Sequence, residues 1–412
     1  METVKAPGLK WLKRAKGKVP VWVADENDVK NGYEPKTVNL QYIADQPLIL
    51  KAKCDTLQAD MMLWRAGYRR NPLKYDGTVR SLLDIYQLHE ESPYRSLKPG
   101  TLRPYNHYLK QLTGHIGAIR LDDINGVEIT RWHRLWSEDG RYLAAAAMAR
   151  AVLSAAISFG IMLRTPGCPE LAVILRETNK KLPQPKPRKQ AATPAQIEAA
   201  RRAAHLHGRP SSALAYAIVF ETVLRLWDVI GQWWPMQQGG ISDVLDAERD
   251  MKWFGLRWED IDADLVLHYT PSKTEDGSGA SISYSLTKAP MVMEELEHWP
   301  VERRKGPIIV SEESGLPYRA PIFAQRWTVD RKAAGLPAAL WARDLRASGI
   351  TEGRASNVSL DDAAKVAGHT DTSTTEQYDR AVLEAADRFA DARMKRREQT
   401  ANGSGNGSGN AR

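Results

Sequence analysis

Three prolines in five residues, Pro183, Pro185 and Pro187, interrupt this chain near its middle. Each removes a backbone donor and fixes an extended φ, so no helix or central strand runs through residues 182–190. Directly afterwards Thr193, Pro194 and Gln196 have the identities of a helix start: a hydroxyl cap, proline at the first helical position and an amide at the third. Residues 182–192 therefore read as a linker. The rest of the 412 residues must fold on one side of it or the other.

The two sides carry different periods. Residues 76–181 read as almost wholly helical. Thr78 caps a helix that places Leu82, Leu83 and Tyr86 on one face, and a second starts near Thr101, carries Tyr105, Tyr108, Leu109 and Leu112, and stops at Gly114. Residues 131–136 and the alanine-rich 142–163 supply two more, giving a compact bundle of four or five short helices. Residues 1–75 differ: 18–24 alternate like a strand and 55–67 read as a helix, a small basic N-terminal module.

After the linker, residues 193–395 mix helices with a small antiparallel sheet. Residues 213–223 form an apolar helix, and 265–270 pair with 280–286 across a Gly-rich turn. Ser359 caps a helix that Gly368 ends. Residues 233–254 read as an insertion between these elements, and 396–412 as a flexible Asn-Gly-Ser tail. The expected class is thus mainly α and multidomain: a helical domain, then a mixed α/β domain, preceded by the basic module.

Charge narrows the partners. Fifty-eight Lys and Arg face 50 Asp and Glu, a net charge of +8, which favours a polyanion. Lys5, Lys10, Lys13, Arg14, Lys16 and Lys18 form a run without an acid, and Lys186, Arg188 and Lys189 lie at the linker. Cys54 and Cys168 have no metal-type spacing and read as reduced, buried thiols. No run approaches the ~18 apolar residues of a membrane span, and no apolar leader opens the sequence. A cytoplasmic protein, nucleoid-associated when bound to DNA and without a membrane partner, is the expectation.

Five residues of the last segment belong together by order: Arg225 after an apolar helix, Lys273 in the hairpin, Arg346 in the series Arg343, Asp344, Leu345, Arg346, then His369 after Gly368, and Tyr378 nine residues further on. Singly, each has an ordinary explanation, such as a helix-end charge, a hairpin-tip lysine or a packed ring. Five such residues have no structural reason to fall in this order.

This ordered set resembles the tyrosine recombinase (phage integrase) family, across residues 190–395. Residues 76–181 resemble that family's SAM-like core-binding domain, and Gly8 to Trp11 and Tyr33 to Val38 resemble integrases of bacterial mobile elements. The resemblance implies strand exchange through a covalent 3′-phosphotyrosyl intermediate, without a cofactor or metal. By it, Arg225 and Arg346 clamp the phosphate, Tyr378 is the nucleophile, Lys273 the general acid and His369 a phosphate and proton-transfer partner. The chemistry fits the residue types. Guanidinium forks donate paired bonds to phosphate oxygens and stay charged, and a phenol oxygen can conserve the phosphodiester bond energy.

Two departures stand out. The family usually places glycine where Val223 precedes Leu224 and Arg225, and histidine where Arg343 opens the second box. Arginine cannot serve as a base there, although it can bind phosphate. A catalytically weakened homologue acting as a site-specific DNA-binding protein is the alternative reading, and a topoisomerase-like relaxing activity would share the chemistry. A metal-dependent nuclease finds no carboxylate cluster, and His205 and His207 sit two apart on a helix, facing different ways.

Expected partners are double-stranded attachment sites, a homotetramer on synapsed DNA and accessory DNA-bending or directionality factors. Lys98, Arg103, Lys110, Arg131 and Arg134 on the helical domain, with Lys186, Arg188 and Lys189, are candidate phosphate contacts; Lys10, Lys13 and Arg14 would meet a second, arm-type site. Residues after Tyr378, including Leu383, Ala386 and Phe389, are expected to dock on a neighbouring protomer. Trp132, Trp136 and Trp227 are expected to pack in the core.

Overall fold

The computed structural model describes residues 5–14, 17–67, 71–272, 281–356 and 358–368. Contacts divide the chain into two compact units, Met1–Lys186 and Pro187–Arg412, so the boundary falls inside the proline strip. The tail and the segment after Tyr378 lie outside the described residues.

The first unit opens with a three-stranded antiparallel sheet in the order β1 (Leu9–Arg14), β2 (Gly17–Val23), β3 (Thr37–Asn39), with a short helix α1 (Glu26–Lys30) between the last two. Helix α2 (Pro47–Arg65) buries Leu50, Cys54, Leu57 and Met61 in one cluster with Trp22 and Val38 of the sheet and Leu40 just after it. It begins earlier than the sequence suggests, because Pro47 occupies its first turn, where a missing N–H costs nothing.

Five helices follow: α3 (Val79–Leu88), α4 (Pro99–Ile116), α5 (Gly126–Trp136), α6 (Leu143–Met162) and α7 (Cys168–Asn179). Thr78 caps α3 through its hydroxyl, as expected. Two boundaries of α4 are corrected: the cap is Lys98, since Pro99 takes the first helical position, and the helix runs past Gly114 to Ile116. A single interior glycine weakens a helix by only about 1 kcal/mol, which burial of Leu109, Leu112 and Ile116 exceeds. Helix α6 is long and apolar enough to cross a membrane, but it packs against α3, α4, α5 and α7 in the bundle core. Trp132 and Trp136 are buried there, while Trp227 of the second unit is 42% exposed and corrects the expectation of a core residue.

Cys54 and Cys168 are free and buried, and desolvation pushes both thiols up to about 11. Neither carries the thiolate that reactivity requires.

His133 on α5 is 3% exposed, and neither ring nitrogen has a partner among the described residues. Burial, with the nearby Arg150 charge, pushes its pKa down; burial does the same to His115, whose Nδ1 accepts from Trp136 Nε1 at 3.2 Å. Above the ordinary histidine value of about 6.5 both rings are neutral, folded or unfolded. As the pH falls through that value, the unfolded chain takes up protons that the folded bundle refuses, so stability drops. Amide protection in α5 and α6 of the full chain, corrected for the intrinsic exchange rate at each pH, should therefore fall between pH 7.5 and 5. His133→Gln should reduce that pH response; an unchanged response would assign it to other groups.

The second unit starts with α8 (Pro194–Leu206), closed by the reciprocal Thr193–Gln196 capping box, and α9 (Pro210–Glu221), whose residues from Ser211 to Phe220 are all buried. A short helix α10 (Leu226–Val229) precedes a sheet in the order β4-β6-β5, where β4 is Gln232–Pro235, β5 Leu245–Asp246 and β6 Met251–Phe254. The stretch expected to be an insertion is thus a folded sheet, held from inside by Lys252, whose Nζ donates to the carbonyls of Met236 (3.2 Å), Gly240 (2.6 Å) and Gln238. Strands this short leave no period-two pattern to read.

Strands β7 (Val266–Tyr269) and β8 (Ile282–Ser285) make the expected hairpin. Helices α11 (Pro290–Leu296), α12 (Ala320–Ala333), α13 (Asp344–Ala355) and α14 (Leu360–Ala367) complete the unit. A buried polar node links α12 to the α8–α9 corner: Asp330 accepts from Tyr216 Oη at 2.8 Å and Arg209 Nη2, with His207 Nδ1 at 2.7 Å. Paired this way, the carboxylate is tolerated inside the core.

Candidate active site

Helix α9 ends at Glu221, and the chain turns sharply through Val223 before α10. Val223 adopts φ +49°, the left-handed region where a β-branched residue is strained. The turn leaves its carbonyl pointing to α13. That helix approaches closely because of Gly349, where a Cβ would come within 2.0 Å of Phe220 O. Any side chain there would drive α13 away from the end of α9.

The close approach brings Arg346 into place. Its residue is 6% exposed; Nη1 donates to Val223 O at 2.5 Å and Nη2 to Ala367 O at 2.6 Å. Ala367 ends α14, and Gly368 closes it with φ +59°, which a residue without Cβ adopts at no steric cost. One guanidinium therefore fixes the turn before Arg225 and the helix end before His369. Val223, Ile350 and Ala367 pack together around it.

Arg225 is the N-cap residue of α10, and its Nη1 is buried without a hydrogen-bond partner among the described residues. Asp228 Oδ2 lies 4.0 Å away and likewise has no hydrogen-bond partner among the described residues. A buried guanidinium N–H of this kind is able to donate to an anionic oxygen. Asp228 uses its other oxygen on the hairpin: Oδ1 accepts from Ser272 N (3.2 Å) and Ser272 Oγ (2.6 Å). The backbone just before Lys273 is thereby anchored to the turn carrying Arg225. Sequence reasoning missed Asp228, although a carboxylate three residues after a candidate arginine on one helical turn is a usable signal.

Arg343 is exposed at the start of α13, with its Cζ 4.3 Å from the Trp341 ring centroid. Partial desolvation of its guanidinium against the indole, then the nearby Arg188 charge, pushes its pKa down from the ordinary arginine value, against the pull of Asp344. Arg188 is ion-paired with Asp344, Nη2 to Oδ2 at 2.6 Å. Of the predicted catalytic residues, the structure brings Arg346 to the segments carrying Arg225 and His369. Lys273, His369 and Tyr378 lie outside the described residues.

The predicted DNA contacts lie in both units. Lys10, Lys13 and Arg14 are exposed on β1, where strand alternation puts Lys10 and Arg14 on one face. Arg103 and Lys110 are exposed two turns apart on α4; Arg131, 3.3 Å from Glu128, and Arg134 are exposed on α5. Lys98 is half-buried, while Lys186 and Lys189 are exposed. Among the described residues, one group could hold a metal ion, His205, Glu295 and His298, with ligand atoms within 4.8 Å of one another. Its carboxylate is engaged by Arg201 Nε (2.7 Å) and paired with His205 Nε2 (2.8 Å), an arrangement that clamps α8 to α11.

No family model and no curated protein matches the sequence. Among solved structures, a lambda integrase dimer bound to a COC′ core site superposes with TM-score 0.54 at 20% identity, over 92% of this chain and 96% of that one. A lambda integrase tetramer bound to a Holliday junction gives 0.53 at 20% identity, covering 92% and 97%. The Tn1549 transposon integrase in complex with transposon right-end DNA gives 0.53 at 16% identity, covering 77% and 99%. This chain has the tyrosine recombinase fold. The node centred on Arg346 lies in the second unit, Pro187–Arg412.

Proposed function

We propose that this chain is a site-specific DNA recombinase that integrates or excises a mobile element. The observation that carries the reading is the Arg346 node, which joins the turn before Arg225 to the helix end before His369, 123 and 21 residues away along the chain. On the turn that Arg346 holds, Arg225 Nη1 is buried without a hydrogen-bond partner among the described residues, which supports a ligand-binding role for it. Tyr378 Oη attacks the scissile phosphorus, the P–O5′ bond breaks, and the products are a 3′-phosphotyrosyl link and a free 5′-hydroxyl. Lys273 supplies the proton to the leaving oxygen, while water or His369 takes the phenol proton. Arg225, Arg343 and Arg346 hold the non-bridging oxygens as charge builds there.

The substrate is double-stranded attachment-site DNA. The cations on α4 and α5 contact its backbone, and those on β1 meet a second, arm-type site. Exchange of two duplexes needs four active sites, hence a homotetramer on synapsed DNA, and the likeness to a tetrameric integrase supports it.

Covalent capture tests this reading. The full chain is mixed with duplexes from its own element's ends, nicked near candidate crossover points, in chelator. A denaturant-resistant protein–DNA adduct is the expected result. Binding without an adduct, on DNA shown to contain the site, favours the alternative of a DNA-binding protein with weakened catalysis.

A further inference from the structure

Arg343 stands where a histidine is usual in the family resembled, and the structure gives it a defined seat. Trp341, two residues earlier, is 45% exposed, yet its indole carries two guanidiniums: Arg188 Cζ at 3.8 Å from the ring centroid and Arg343 Cζ at 4.3 Å. The two arginines differ in their partners. Arg188 reaches Asp344 with Nε on Oδ1 (3.0 Å) and Nη2 on Oδ2 (2.6 Å), and its Nη2 also donates to Ala339 O at 2.5 Å. Asp344 accepts the Trp341 backbone N–H as well, at 2.9 Å. Arg188 is thus ion-paired and acts as a brace for the indole. Arg343 has no carboxylate partner within ion-pair distance among the described residues.

We infer that Trp341 is a positioning residue: its indole, braced by Arg188 and Asp344, holds Arg343 as a third phosphate-binding cation beside the clamp arginines. An unsupported arginine at a helix start would sample many rotamers. Stacking on an aromatic face leaves its N–H edges available while fixing its plane. Arg343 and Arg346 are three residues apart across the first turn of α13, so their side chains leave neighbouring surfaces. The ligand is a DNA phosphodiester oxygen, and the inference rests on the recombinase reading above. It also gives Arg188 a task other than direct DNA contact.

The test is a double-mutant cycle on the full chain, read as adduct formation at saturating nicked duplex. Trp341→Ala should slow it by about 10- to 100-fold, the scale of misplacing one catalytic contact, and Trp341→Phe should restore most of the rate. In an Arg343→His background the Arg188 brace remains but no phosphate-binding guanidinium is left to seat, so the same Trp341→Ala change should cost less than about threefold, the non-additivity expected of coupled neighbours. Equal losses in both backgrounds would overturn the inference while leaving the recombinase reading intact.

If the unaltered chain binds its site without forming an adduct, the recombinase reading fails, and the seat is read from salt dependence. Arg343→Ala should lower the slope of log affinity against log salt by about one phosphate contact. Trp341→Ala should lower it equally, and the double variant no further. An unchanged slope in Trp341→Ala overturns the seat itself.

Discussion

Replacing Tyr378 with phenylalanine should abolish the covalent adduct and leave site binding nearly intact. The change removes one oxygen and keeps the ring, so whatever packing the ring makes survives. The reaction has no substitute for that oxygen. A serine or water attack would give a different product, and water in particular would leave a free phosphate end rather than a protein link. Loss of a nucleophile costs on the order of 10⁴-fold or more in comparable covalent enzymes. Affinity should change by no more than about fivefold, the worth of one hydrogen bond. The measurement is a denaturing gel of labelled nicked duplex beside a filter or mobility assay on the same preparations. An adduct persisting in Tyr378→Phe at the unaltered level would place the nucleophile elsewhere. Loss of binding together with the adduct would make Tyr378 a structural residue.

What the sequence discloses of this fold is what short-range chemistry dictates. Pro183, Pro185 and Pro187 mark the boundary between units, because proline acts on its own backbone. Thr78, Thr193 and Ser359 mark helix starts, and Gly368 a helix end, because a cap is satisfied within four residues. The β7–β8 hairpin is legible from strand alternation on either side of a Gly-rich turn. Features set by distant residues were not. Nothing near Asp228 announces that it will hold Ser272, 44 positions on. Nothing near Trp341 announces Arg188, whose guanidinium arrives from the proline strip. Trp227 looked like a core residue by spacing, yet the four-residue helix α10 is too short to bury a full face. The site was legible as an ordered set of residue types, but the node that assembles it was not. Resemblance points Arg346 at the phosphate, whereas its bonds to Val223 O and Ala367 O exist only in three dimensions.

That node leads to the second large effect. Arg346→Ala should lower adduct formation by at least about 1,000-fold, beyond the roughly 10²–10³ expected from deleting one preorganised donor. The surplus arises because two elements lose their tie. Val223 O and Ala367 O are bonded at 2.5 and 2.6 Å by opposite arms of one planar group. Without it, two inward carbonyls lose their donors, at about 1–3 kcal/mol each. The strained turn at Val223, φ +49°, then has less to hold it, and Arg225 moves with it. Arg346→Lys separates the contributions. An ammonium keeps the charge but lacks the planar fork, so it cannot serve two opposed carbonyls with the same geometry. If charge alone mattered, the lysine variant would retain most activity; if the bridge matters, it should fall within about tenfold of alanine. Both variants should also unfold at a lower temperature than the unaltered chain, with the loss confined to the second unit as read by amide exchange in α13 and α14. A lysine variant of near-normal rate and stability would mean that the two carbonyls find other donors, and that Arg346 acts on the phosphate alone.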